Sequence, residues 1–153
     1  MIIEDAMAGL TLIDSVVTDM KLSNEMALLV DLEDKGTVDM DYEIGKAELK
    51  ESCYIGEVSL SVNVYYREGR KKMFNLKLTQ LGFFAAYSEC YDSIEEFRDA
   101  LEINGVASLI SVARATISAI SSNIFAKGSI KLPLVNVYRL KELKDSQKQK
   151  DSE

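Results

Sequence analysis

Three carboxylates, Asp39, Asp41 and Glu43, recur at every second position of "TVDMDYEIG". On an extended strand that spacing puts all three on one face. Such a row could hold a hard cation or attract a basic partner. General acid–base or nucleophilic chemistry needs more than this. The chain has no histidine and no tryptophan, so neither Cys53 nor Cys90 has an imidazole to take its proton. The two thiols have no metal-ligand spacing and read as reduced. The chain contains no G-x-S-x-G, no phosphate-cradling glycine loop and no dinucleotide fingerprint. The acidic row therefore reads as a solvated strand face that leaves room for a basic protein partner. Enzyme activity, a cofactor and a metal site are not expected.

Composition narrows the partners. The 153 residues are one domain's worth of chain, and 47% of them are hydrophobic. With 25 acidic against 18 basic residues the net charge is -7, so nucleic acid is not an expected partner. The N-terminus, "MIIEDAMAGLTLID", carries acid where a signal peptide carries base. From Ile103 to Ala126 the segment has the length of a bilayer span. Arg114, Asn104, Asn123, Thr116 and its serines oppose insertion, so the expectation is a soluble, cytoplasmic protein with no stable membrane insertion.

The elements that must position any site follow from hydrophobic period. In "TVDMDYEIG", Val38, Met40, Tyr42 and Ile44 alternate with the acids. In "EVSLSVNVYY", Val58, Leu60, Val62 and Val64 alternate with Ser59, Ser61 and Asn63. After the turn "REGR", Phe74, Leu76 and Leu78 continue the period-two pattern. An earlier strand is expected over Leu10 to Leu22, with Leu12, Val16, Met20 and Leu22 on one face and a less clean alternation at Ile13 and Val17. Closely spaced strands with short polar turns favour an antiparallel meander. The segment Ser23 to Gly36, which includes "EMALLVDLEDKG", breaks the rhythm and reads as a long crossing connection.

Helices come last, giving an α+β fold. "SIEEF" is a capping box between Ser93 and Glu96, opening a short helix with Ile94, Phe97 and Leu101 on one side. A long helix is expected from about Ala107 to Ala126, stopped at Lys127 and Gly128. Pro133 suits the start of a final short helix over "LVNVYRLKEL". A single domain over residues 1–140 is expected, followed by a polar, disordered tail over 141–153.

The long helix has one unusual side. Leu109, Ala113, Ile117, Ile120 and Ile124 form an apolar stripe suited to the sheet. A second row, Ser108, Ser111, Ala115, Ser118, Ala119 and Ser122, is small throughout and lacks the Lys and Glu of a solvent face. Small residues let another backbone approach closely, so this row is the expected oligomer interface.

Two local sequences join this element order. "QLGFF" closes the fourth strand, and "INGVASLISVARATISAISSNIFAKGSIKLPLVNVYRL" follows the capped helix. The pairing resembles SecB, the bacterial export-chaperone family, from about Leu10 to Leu140. Gly82, Phe83 and Phe84 match its Gly-then-aromatic strand end. "LISVAR", Leu109 to Arg114, stands at its Leu-Phe-Pro-Tyr-Ala-Arg helix start, with Ile110, Ser111 and Val112 replacing Phe-Pro-Tyr. "LPLVN", Leu132 to Asn136, together with Leu140, stands at its Leu-x-Pro-Val-Asn-type segment.

The resemblance implies an ATP-independent holdase for unfolded or extended polypeptides, without a cofactor, assembled as a dimer of dimers with long helices sandwiched between sheets. Client-binding walls would be the connection after the first strand, with Met26, Leu28, Leu29 and Val30, and the last helix, with Leu134, Val137 and Tyr138. Docking of the translocation motor SecA would use acids on the outer sheet face. Asp19 aligns with one, Ser23 and Lys77 stand where others are expected, and Asp39, Asp41 and Glu43 offer a replacement row. SecB-like proteins also include chaperones of antitoxins. A client-dedicated chaperone of that kind is the nearest alternative, and a structural or small-ligand-binding oligomer is a further one.

Overall fold

The computed structural model describes residues 9–26, 36–126 and 128–150. The alternating segments form four long strands, β1 (Thr11–Asn24), β2 (Thr37–Lys50), β3 (Cys53–Glu68) and β4 (Lys71–Tyr87). They make one antiparallel sheet in the order β1-β4-β3-β2. Strands β2 to β4 are the expected meander. β1 pairs with β4, so β1 and β2 occupy opposite edges; of the connection expected over Ser23 to Gly36, Ser23 and Asn24 belong to β1 and residues 27–35 lie outside the described residues.

Val58, Leu60, Val62, Val64, Phe74, Leu76 and Leu78 share the inner face and are at most 1% exposed. β1 keeps Leu12, Met20 and Leu22 on one face as expected, but exchanges Val16 for Val17. Its register shifts between Leu12 and Asp14 and again between Val17 and Asp19, and each bulge adds a residue that reverses which side the following side chains take. Val16 therefore lies opposite Leu81 on the outer face. Leu12, Val17, Met20 and Leu22 lie opposite the inner-face residues Phe84, Gln80, Leu78 and Leu76.

The capped helix and the long helix are continuous. α1 (Ile94–Ala100), a π-helical turn (Leu101–Gly105) and α2 (Val106–Ser122) run unbroken across the inner face. Ser93 Oγ accepts from the Glu96 amide at 3.1 Å, while Glu96 reaches back to the amide of Asp92. Gly105 does not stop the helix; it keeps helical angles and faces Val58, whose Cγ2 would sit 3.2 Å from an added Cβ. Two sheet glycines matter more. A Cβ on Gly56 would stand 2.5 Å from Leu101 Cδ1, and one on Gly82 2.6 Å from Leu109 Cδ2. These positions let the helix settle onto β3 and β4. Leu109, Ala113 and Ile117 are fully buried, whereas Ile120 and Ile124 are half-buried.

α2 ends at Ser122, before the expected Ala126. The amides of Ile124 and Phe125 both bond Ser121 O, and Phe125 turns inward to meet Phe74 with ring centroids 5.3 Å apart. Aromatic burial wins over another helical turn. Of the expected stop signal, Lys127 lies outside the described residues, and Gly128 has φ 82. The returning chain is extended. Buried Ser121 Oγ accepts from the Ile130 amide at 2.7 Å. Arg114, the lone charge of the helix, donates from Nε to Leu132 O at 3.3 Å and from Nη2 to Pro133 O at 2.8 Å.

The last helix, α3, spans Val137–Lys150. Pro133 therefore precedes it within the extended segment, and Asn136 Oδ1 caps it by accepting from the Arg139 amide. The tail expected to be disordered from residue 141 is helical to Lys150. Lys141 and Lys144 pair with acids of the body, and Arg139 pairs with Glu142 along the helix. Polar composition hid these long-range charge contacts. Residues 151–153 lie outside the described residues.

Candidate functional site

β2 is an edge strand, and the helical layer lies mainly over β3 and β4. The inner-face side chains Val38 and Met40 are consequently only half-buried. Arg114 holds the extended return segment beside them, and α3 leans over the same edge. Between these elements lies an open groove of about 490 Å³, lined by Val38, Met40, Pro133, Val135 and Leu140, with Asp39 and Gln147 as its polar members.

The side chains that hold α3 in place are charged. Glu102, in the π turn, accepts from Tyr42 Oη at 2.8 Å and pairs with Lys141 at 2.5 Å. Lys141 also lies 3.8 Å from Asp99. Lys144 pairs with Asp41 at 2.5 Å and stands 4.8 Å over the Tyr42 ring. Burial by itself would raise the Glu102 carboxyl pKa, but hydrogen bonds from Lys141 and Tyr42 outweigh it and hold the group below the usual carboxylate range. Burial, followed by the hydrogen bond to Glu102, pushes the Tyr42 hydroxyl pKa up. Lys141 is raised by its hydrogen bond to Glu102.

The expected client-contacting residues separate into three sets. Leu134 is 92% exposed and Tyr138 68%, both beside the groove in sequence. Met26 and Val137 are half-buried and pack on the core. Leu28, Leu29 and Val30 lie outside the described residues. The groove's own floor, Val38 and Met40, was not singled out from the sequence. The alternation there showed which side chains face inward, but not that β2 would be an edge left only partly covered by the helices.

The acids expected for partner docking lie on the outer face but apart. Asp39, Asp41 and Glu43 lie opposite Asn63, Ser61 and Ser59 on β3. Asp19 lies opposite Thr79 on the other edge, roughly 14 Å away across three strand spacings. Asp41 is also engaged by Lys144. Among the described residues, no group of three or more carboxylates or thiols is placed to hold a metal ion.

The small-residue row is largely uncovered in the protomer. Ser111, Ala115, Ala119 and Ser122 are exposed, and Ser108 and Ser118 half-buried. The serine hydroxyls turn inward: Ser108, Ser111 and Ser122 donate to carbonyls of their own helix, and Ser118 donates to Ser129 Oγ. The face therefore presents little unmet polarity despite its serines. On the inner face of the sheet, Val17, Met20 and Leu22 of β1 are exposed as well. The sequence placed Met20 and Leu22 on one face as found, but put Val16 there in place of Val17, because the bulges shift the phase. The helix Ile94–Ser122 has the length and composition of a membrane span, yet its most apolar side is packed on the sheet.

Comparison with solved structures finds this architecture in a SecB-like chaperone of Mycobacterium tuberculosis, solved in complex with a ChAD peptide from an antitoxin. The similarity spans 84% of this chain and 92% of that one, with a TM-score of 0.58 and 13% sequence identity. The chain has a SecB-like fold. A Streptococcus agalactiae protein of unknown function also matches over 82% of this chain and 97% of that one, at 11% identity and TM-score 0.49. No family model and no curated protein matches the chain.

Proposed function

We propose that this protein is a non-enzymatic, ATP-independent chaperone that holds extended segments of non-native polypeptide in the groove between β2 and α3. The observation that carries this reading is the groove itself: a half-buried apolar floor of Val38 and Met40, lined also by Pro133, Val135 and Leu140, in a SecB-like fold. The main contacts there are apolar and include an adaptable methionine, which suits a binder that accepts varied sequences. Exposed Leu134 and Tyr138 extend the apolar surface, and Met26, Leu28, Leu29, Val30 and Val137 complete the proposed client-contacting set. The protein is read as soluble and cytoplasmic, within a single SecB-like domain.

The exposed small-residue row of α2 and the strip Val17, Met20 and Leu22 support assembly into a homo-oligomer, a dimer of dimers with the sheets outward. Burying both would remove exposed apolar surface from the inner side. A link to protein export through SecA would use Asp19, Asp39, Asp41 and Glu43.

A client-dedicated role, such as service to an antitoxin, is the second reading. Two observations favour it. The Mycobacterium neighbour is solved with an antitoxin peptide, and the outer face of this chain carries Ser23 and Lys77 where docking acids were expected.

Light scattering of an aggregating unfolded client tests the holdase. Suppression is expected at a small molar excess of the wild type and is expected to weaken in Met40→Glu, which puts a charge into the groove floor. Unchanged scattering at several-fold excess of wild type would rule out the holdase. Pull-down of SecA at low and high salt separates export from dedicated service, because an acidic docking face loses affinity as salt rises.

A further inference from the structure

The outer sheet face holds a charge arrangement that a client groove does not need. Across it, one row of register partners reads Asp39, Asn63, Lys77, Lys21 from edge to edge. Lys77 and Lys21 are direct cross-strand neighbours of like charge, with Cβ atoms about 5 Å apart, an arrangement that destabilises a sheet. Toward the hairpin, Arg67 and Lys72 are likewise register partners, and both stand over the Tyr65 ring, at 5.5 and 4.7 Å. All four cations are exposed. Among the described residues, ion pairs join Lys46, Lys50, Lys71, Arg139, Lys141 and Lys144 to acids, and none involves Lys21, Arg67, Lys72 or Lys77. Asn63 gives no relief, for its Oδ1 is buried without a hydrogen-bond partner. In a chain of net charge -7, two like-charged pairs gathered at one end of a face mark a surface that awaits anions.

We infer that this hairpin end of the outer face, Lys21 and Lys77 with Arg67 and Lys72 around Tyr65, docks an extended acidic segment of a partner protein. Charge complementarity sets the sign of the partner, and the rest of the face sets its class. Asp39 and Asp41 line one flank and Asp19 closes the row beyond Lys21 and Lys77, so a long phosphate backbone would run over acids. Tyr65 is already covered by two cations and does not present a bare ring for base stacking. A short acidic strand laid along β1 and β4 repeats its carboxylates about every 7 Å, the step between successive outward positions of β4, and can stop before the acidic edge. The partner therefore has the opposite sign to one that docks on an acidic face.

The experiment is fluorescence anisotropy of a fluorescein-labelled peptide of alternating glutamate and glycine, titrated with the full chain at low and high salt. Binding is expected at low salt and is expected to fall as salt rises. The double variant Lys21→Gln, Lys77→Gln should bind about tenfold more weakly, with a melting temperature no lower than wild type, because the substitution removes a repulsion. Client holding by the groove is measured on the same variant and should be unaffected, so the two sites stand or fall separately. Equal affinity of wild type and double variant overturns the inference. So does tighter binding of the matching lysine–glycine peptide, or of a thymidine oligonucleotide of equal charge.

Discussion

Tyr42 Oη donates to the Glu102 carboxylate at 2.8 Å across 60 positions of sequence, and Lys141 meets the same carboxylate from α3. Glu102 is therefore the point where the edge strand, the π turn and the last helix join. The π turn widens the helix by one residue in its course, and Glu102 sits within that turn. Tyr42→Phe preserves the buried ring and removes one donor from a partly buried charge. The expected cost is about 1–2 kcal/mol, read as a lower urea midpoint with an unchanged slope. A midpoint equal to wild type would show that water replaces the hydroxyl without loss.

The same cluster gives stability a pH dependence of defined sign. Glu102 has a lowered pKa in the folded chain, so the unfolded chain binds its proton first as pH falls. Its contribution is complete above the ordinary glutamate value of about 4.3 and is lost as pH drops through the lower folded value. Tyr42 and Lys141 are raised. Their contributions are complete below the unfolded values and decline as pH climbs above about 10. Urea midpoints measured against pH should show both limbs, and Glu102→Gln should flatten the acid one. An acid limb equally steep in that variant would assign it to other carboxylates.

Much of this was legible in the residues, for identifiable reasons. Strict period two at Val58–Val64 and Phe74–Leu78 fixed two central strands, because both flank a single buried layer. The capping box at Ser93 and the apolar stripe Leu109, Ala113 and Ile117 marked the helix that covers them. The β1 phase was legible at Leu12, Met20 and Leu22 but not at Val16 and Val17, since two bulges leave no trace in composition beyond an irregular alternation. The helical tail was hidden because Lys141 and Lys144 find their acids on α1's continuation and on β2, far away in sequence. The groove floor depended on β2 being an edge strand, which is a property of strand order and not of the strand's own pattern.

Gly82 tests how closely the helix must approach. Its neighbours in space are Leu109 Cδ2 and Phe84 Cε2, which an added Cβ would meet at 2.6 and 3.0 Å. Leu109 is fully buried and has no room to swing away. Gly82→Ala is expected to lower stability by about 2–3 kcal/mol through overpacking, and adding Leu109→Ala, which empties the contested space, should give a total loss smaller than the sum of the two single losses. Thermal unfolding of the single and double variants checks this; additive losses would mean that the two sites do not share a contact.

Ala115 gives the cleanest test of assembly. It is exposed in the protomer, on the helix side whose serine hydroxyls are already satisfied. Ala115→Glu should therefore leave the protomer fold within about 0.5 kcal/mol. In an interface it would bury an unpaired charge, at a cost of about 3–5 kcal/mol. Light scattering after size exclusion should show wild type as an oligomer and the variant at a lower mass with an unchanged circular dichroism spectrum. Ser118→Arg is the less informative choice, because Ser118 is half-buried and donates to Ser129 Oγ at 3.2 Å. Its replacement disturbs the return segment as well as the row. Identical masses for wild type and Ala115→Glu would leave the row as a solvent face, and the exposed Val17, Met20 and Leu22 would then need another cover.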